Sequence, residues 1–266
     1  MRLRIGSVPY LNAKPLVDWF HSPDCDADVE VIYAVPSKLA EMLRNGELDV
    51  CNCSIFEGLS RTGLCVVPDV SISSNGPVKS VRLFCKRPIH ALQTVALDTS
   101  SLTSAALTRI ILNEQFHTFP EYYSAPPQLE EMLQHYDAGL IIGDLKLFKL
   151  HDGTEVFDLG ECWQTLTGLP FVYAAWQTPV EVAAIMPEMS EILLEARNWG
   201  IERLDELASR WSLQMGLPYY QCIDYFTNAM DYNLTPVQIR GLQAFHTKCC
   251  SNGLITNEIP LRVIGS

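Results

Sequence analysis

Apolar positions in this chain fall into short clusters that alternate with stretches of helical spacing. Leu3, Ile5 and Val8 mark a first strand, Pro9 and Asn12 punctuate it, and Pro15-Leu16-Val17 with Trp19-Phe20 open an apolar helical face. A second strand is predicted over residues 29–34. After Pro36-Ser37 come Leu39, Met42 and Leu43 on one helical face, with Gly46 placed to end the helix. A third strand follows over residues 48–53. Such βα alternation predicts a mostly parallel sheet covered by helices on both faces.

Residues 81–85 and 94–97 read as further strands joined through Pro88, and a fresh βα alternation starts at Asp98 with a helix over residues 102–114. A helix near 129–133, a strand at 140–142 and the apolar segment 170–176 continue it. Beyond Val180 the pattern is helical: Ile192, Leu193 and Ala196, then Leu204, Leu207 and Trp211, then Ile239, Leu242 and Phe245. These helices have no sheet of their own, which predicts that the chain returns to the first lobe. The expected division is residues 1–88 with 178–266 as a discontinuous first lobe and 89–177 as the second, with a ligand cleft between them.

Composition narrows the function. With 31 acidic against 19 basic residues the formal charge is −12, and no cluster of basic and aromatic side chains offsets it, so nucleic acid is not an expected partner. An anionic ligand would depend on local donors instead: hydroxyls, backbone N–H groups and helix N-termini. No apolar run reaches the roughly 18–20 residues of a membrane span. The opening residues lack a secretory core, so a cytoplasmic protein with its nine cysteines reduced is expected. The six histidines show no paired metal spacing, there is no CxxC, and the phosphate-loop, dinucleotide and G-x-S-x-G motifs are missing.

Five segments can carry chemistry. Gly6-Ser7-Val8-Pro9-Tyr10-Leu11-Asn12 lies at the carboxyl end of the first strand, where open α/β sheets hold ligands, although a proline turn capped by Asn12 accounts for it equally. Ser73-Ser74-Asn75-Gly76-Pro77-Val78-Lys79-Ser80 is a polar turn that loop chemistry also explains. Asp98-Thr99-Ser100-Ser101-Leu102-Thr103-Ser104 sets five hydroxyls at a helix start, more than one cap needs, and is the strongest candidate for holding a carboxylate. Asp144, ending Ile141-Ile142-Gly143-Asp144, is a general base, a hinge ligand or a cap. Residues 167–176 read as a crossing strand whose aromatics serve the core.

Taken in order, Val8-Pro9-Tyr10-Leu11-Asn12, Gly46-Glu47-Leu48-Asp49, Asn75-Gly76-Pro77-Val78-Lys79-Ser80-Val81, Asp98 to Ser104, Ile142-Gly143-Asp144 and Thr167-Gly168-Leu169-Pro170-Phe171-Val172 resemble the chorismate dehydratase family over about residues 2–176. The resemblance implies an α/β fold like the type II periplasmic binding proteins, and a hydro-lyase acting on chorismate, first in the futalosine route to menaquinone. It implies no cofactor and no metal. A small-molecule substrate is the expected partner, with neither nucleic acid nor membrane, in a monomer or homodimer. It also implies a cleft in which Asn12 is catalytic and Tyr10, Ser54, Ser80, Ser100, Ser101, Thr103 and Ser104 line the substrate, with Asp144 added from its own motif. The family pattern carries an arginine where this chain has Leu102, and Lys79, Arg82 or Lys14 are the candidates to compensate. Two other classes share the fold: a receptor for a small carboxylate, and the related dihydroxynaphthoate-forming enzyme.

Overall fold

The computed structural model describes residues 2–144, 151–256 and 262–264. Two sheets organise them. The first has six strands in the order β11-β4-β10-β3-β1-β2, built from β1 (Leu3–Ser7), β2 (Val29–Tyr33), β3 (Val50–Ser54), β4 (Leu64–Ser74), β10 (Phe171–Pro179) and β11 (Asp231–Leu234). The second has five in the order β7-β6-β8-β5-β9: β5 (Val81–Cys85), β6 (Thr94–Asp98), β7 (Glu121–Ala125), β8 (Ala138–Ile142) and β9 (Glu155–Asp158).

Both sheets are mixed, where a mostly parallel pairing was expected. β1 pairs with β2 and β3 in parallel, whereas β10 runs antiparallel to β3 and β4. In the second sheet β6 is parallel to β7 and β8, but β5 is antiparallel to β8 and β9. The reversals arise because the chain changes sheets twice, once through residues 75–80 and once through the helix Leu159–Thr167. The crossings shift the expected boundaries: β5 belongs to the second sheet although it precedes residue 88, and β10 belongs to the first although it begins before 178. Asp158 ties the crossings together, capping the helix at the amides of Gly160 and Glu161 while accepting from the amides of Val78 and Lys79 at 2.9 and 2.6 Å.

The helical tail does return to the first sheet, but it carries a short edge strand that periodicity missed, Asp-Tyr-Asn-Leu at β11. Four residues are too few to show a period of two. The long helix Pro236–Ser251 begins with a capping box between Thr235 and Gln238. Its buried face packs Phe245 edge-on against Trp163 and Phe171, with ring centroids 6.0 and 4.9 Å away. At its other end, Lys248 pairs with Glu114 and Asn252 donates to Glu114 at 2.8 Å, so this helix reaches both lobes. Trp19, Trp163 and Trp176 are fully buried within one core that is continuous across both sheets. All nine cysteines are free thiols. No helix among the described residues is long and apolar enough to cross a membrane.

Candidate functional site

The cavity between the sheets is bounded on one side by the turn after β1 and the end of β3, and on the other by the helix start after β6 and the turn after β8. It encloses about 550 Å³ of empty space, its open mouth included. Val8, Ile72, Val78, Val81 and Ile142 supply apolar wall; Tyr10, Asn12, Asn52, Ser54, Ser80, Ser101, Ser104 and Tyr173 supply the polar groups. Among the described residues, no charged side chain lines it.

Asn12 follows the proline turn at the end of β1. Its Oδ1 is buried with no partner among the described residues, while its side chain lies within hydrogen-bonding reach of the Tyr225 hydroxyl and acts on it as a donor, through the amide nitrogen. Tyr225 donates onward to Ser80 Oγ at 2.8 Å. Burial drives the Tyr225 hydroxyl far above its ordinary range, with the charge of Asp144 adding to the shift, so Tyr225 stays neutral and keeps its proton for this chain of bonds. Asn12 lines the cavity with its Oδ1 unpartnered, and among the described residues the Ser80 O–H has Val78 O, at 3.5 Å, as its acceptor, a long bond that leaves it available to a ligand.

The hydroxyl-rich helix start behaves differently. Ser101 caps the helix Leu102–Ile110 by accepting from the Ser104 amide at 3.2 Å, and its own hydroxyl donates to Ser104 Oγ at 3.1 Å. Both line the cavity. Ser100 and Thr103 do not. Ser100 turns back to Asp98, its amide donating at 2.8 Å, and lies within hydrogen-bonding reach of the Tyr10 hydroxyl. Thr103 bonds Ser54 across the cleft, Oγ1 to Oγ at 2.6 Å, and accepts from the Phe56 amide at 3.2 Å. Thr103 therefore fastens the second sheet's helix to the end of β3.

Asp144 also falls outside the lining. Its Oδ2 accepts from the Leu11 amide at 2.9 Å, a bond between the turn after β8 and the turn after β1, while Oδ1 has no protein partner. Desolvation pushes its pKa up to about 6, opposed by that amide and by Lys14. The preceding residue must be glycine for the turn: Gly143 has φ +68°, and a Cβ there would stand 3.4 Å from the Tyr10 ring.

Of the cations offered in place of an arginine at 102, none reaches the cavity. Lys79 pairs with Asp224, Arg82 packs over Phe84, and the buried Lys14 ammonium lies 3.9 Å from the centre of the Trp211 ring. Leu102 itself is 46% exposed and faces a separate surface groove with Arg109 and Leu254. Asp49, from the Gly46 to Asp49 motif, is structural, held by Arg4 through bonds of 2.6 and 3.1 Å.

Sequence reasoning missed Asn52, Tyr173 and Tyr225. Tyr173 shares a 3.0 Å bond with Ser74 at the back of the cavity. Asn52 had a signal, a lone amide between Cys51 and Cys53 in a strand buried along its whole length. Tyr225 had none, since it comes from the tail helices more than 140 residues from Ser80.

Two helix-flanked mixed sheets joined by crossing segments, with a neutral amide and hydroxyl cleft between them, define a protein of the periplasmic-binding-protein fold. A solved protein of Archaeoglobus fulgidus superposes with a TM-score of 0.76 at 16% identity, covering 96% of this chain and 98% of that one. The periplasmic aliphatic sulphonate binding protein of Escherichia coli gives 0.63 at 15% identity, covering 100% and 94%. The chain belongs to the menaquinone biosynthesis family, whose model matches residues 3–251. A chorismate dehydratase from Thermus thermophilus is 31% identical over 264 residues, which span 91% of this chain and 93% of that protein.

Proposed function

We propose that this chain is a chorismate dehydratase, a hydro-lyase that converts chorismate to 3-[(1-carboxyvinyl)oxy]benzoate and water in the cytoplasm. The observation that carries the reading is the convergence of Asn12 and Ser80, from two of the motifs shared with that family, on one cavity through Tyr225. The 31% identical relative supports it.

The chemistry suits a neutral site. A ring C–H bond and the neighbouring C–O bond break, the C–H electron pair becomes the new ring π bond, and the hydroxyl departs with a proton as water. Nothing is oxidised or reduced overall, so the balance calls for no redox cofactor. Aromatisation supplies a large drive, leaving orientation and local electrostatics as the main tasks of the protein. Asn12 hydrogen-bonds at the reacting ring, while Ser80 and Ser104 offer hydroxyls to the carboxylates. The enolpyruvyl carboxylate of the substrate takes the ring proton.

The test is incubation of the purified protein with chorismate, followed by mass spectrometry for loss of one water and by the absorbance of a benzoate. Product formed at a rate proportional to protein is the expected result. Saturable binding without turnover would instead make the chain a receptor, the alternative raised by its likeness to a sulphonate-binding protein.

A further inference from the structure

Asn52 has the least explained side chain in the cavity. It lies inside β3, is fully buried on the cavity wall, and has neither Oδ1 nor Nδ2 bonded to any atom of the described residues. The neighbouring polar groups are engaged: Ser54 with Thr103, Ser101 with Ser104, Ser80 with Tyr225. Asparagine is also a poor strand residue, and an aliphatic side chain would suit a strand buried along its whole length. A buried amide with both ends open is stable only beside an occupant that accepts from the nitrogen and donates to the oxygen. A carboxylate only accepts and an ammonium only donates, but a hydroxyl does both.

We propose that Asn52 is a specificity-determining residue that reads a hydroxyl of the bound substrate, Nδ2 donating to its oxygen and Oδ1 accepting its proton. The inference rests on the dehydratase reading, under which that group is the ring hydroxyl that leaves as water. It has a directional consequence. Chorismate satisfies both ends of the amide, whereas the product has lost the hydroxyl and satisfies neither, so Asn52 contributes to binding the substrate and not to binding the product. The competing account is structural: Trp176 sits opposite Asn52 in the β3–β10 pair, and its buried indole N–H also has no protein partner, so the amide would serve the strand pair rather than a ligand.

The two accounts separate by measuring kcat/KM for chorismate, the Kd of the benzoate product and thermal stability for wild type, Asn52→Ala and Asn52→Ser. The expected result is a fall in kcat/KM of about 10- to 100-fold in Asn52→Ala, with the product Kd unchanged within about twofold and Tm preserved or raised. Asn52→Ser, which retains a donor and an acceptor, recovers part of the loss. Equal weakening of substrate and product, or unchanged kcat/KM, would overturn the proposal. If Asn52→Ala does not fold, Asn52→Ser decides by the same substrate-to-product ratio. Wild-type protein that binds chorismate without dehydrating it overturns the dehydratase reading and this inference together; wild-type turnover with an indifferent Asn52→Ala overturns only the inference.

Discussion

The start of the helix Leu102–Ile110 and the cleft wall formed by β1 and β3 border one cavity, and they use polar side chains in opposite ways. At the helix start, five hydroxyls within six residues are largely engaged with protein. Ser100 bonds Asp98, Ser101 and Ser104 bond each other, and Thr103 crosses to Ser54. On the opposite wall two amides suffice to present three buried atoms without protein partners, Asn12 Oδ1 and both ends of Asn52. A dense run of hydroxyls invites mutual satisfaction, because each is both donor and acceptor and lies within reach of the next. An isolated amide in a strand has no such neighbour. The availability of polar atoms, rather than their number, sets the two walls apart.

The comparison breaks most decisively at Asn12. Asn12→Ala is expected to lower kcat by about 100- to 1000-fold, the scale of losing one preorganised partner of the reacting centre, with Tm little changed. Near-native turnover would return the turn after β1 to a plain proline turn. Thr103→Val probes the other side. It strands the Phe56 amide and leaves Ser54 Oγ with only its bond to the residue 103 amide, so a stability loss of about 1–3 kcal/mol in chemical denaturation is expected. A raised KM without lost stability would mean that Thr103 touches substrate after all.

Asp144 sharpens the contrast through pH. Its carboxyl is held above the unfolded value, near 6, so the native state binds a proton more readily than the unfolded chain, and this group's contribution to stability declines as pH rises from about 4 to about 6. Asp144→Asn keeps an oxygen for the Leu11 amide and escapes that loss. The variant should therefore gain on wild type by about 1–2 kcal/mol between pH 4.5 and pH 7.5, read from paired denaturation curves. A constant difference across this range would place the buried charge elsewhere. The smallest effect belongs to Leu102→Arg. This side chain points to solvent away from the cavity, so kcat/KM should move less than about twofold and stability by less than about 0.5 kcal/mol. A large rise in affinity for chorismate would show that the helix start is the anion site that its composition suggested.

Particular elements show what was legible. The strands β1, β2, β3 and β5 and the helix Pro36–Arg44 were visible because apolar residues recur there with a clear period between proline or glycine breaks. β4, with 11 residues, was not, since its Ser73 and Ser74 open the segment that reads as a polar turn. In the fold Ser71, Ser73 and Ser74 are buried, with Ser71 and Ser73 donating to the carbonyls of Asn233 and Asp231 in β11. Tyr10, Asn12, Ser54, Ser80, Ser101 and Ser104 line the cavity, while Ser100 turns back to Asp98 and Thr103 and Asp144 fasten one sheet to the other.

By itself the sequence determined the α/β class, the two-lobed plan and the segments that meet at the cleft, because period, turn residues and motif order are local properties of a chain. Only the tertiary structure decided which polar atoms remain open to a ligand. That depends on partners brought from far along the chain: Tyr225 orients Asn12 and Ser80, Thr103 occupies Ser54, and no protein atom occupies Asn52. Hydrogen bonding saturates within ångströms, so whether a side chain is engaged or available is set by contacts that no spacing along a sequence records.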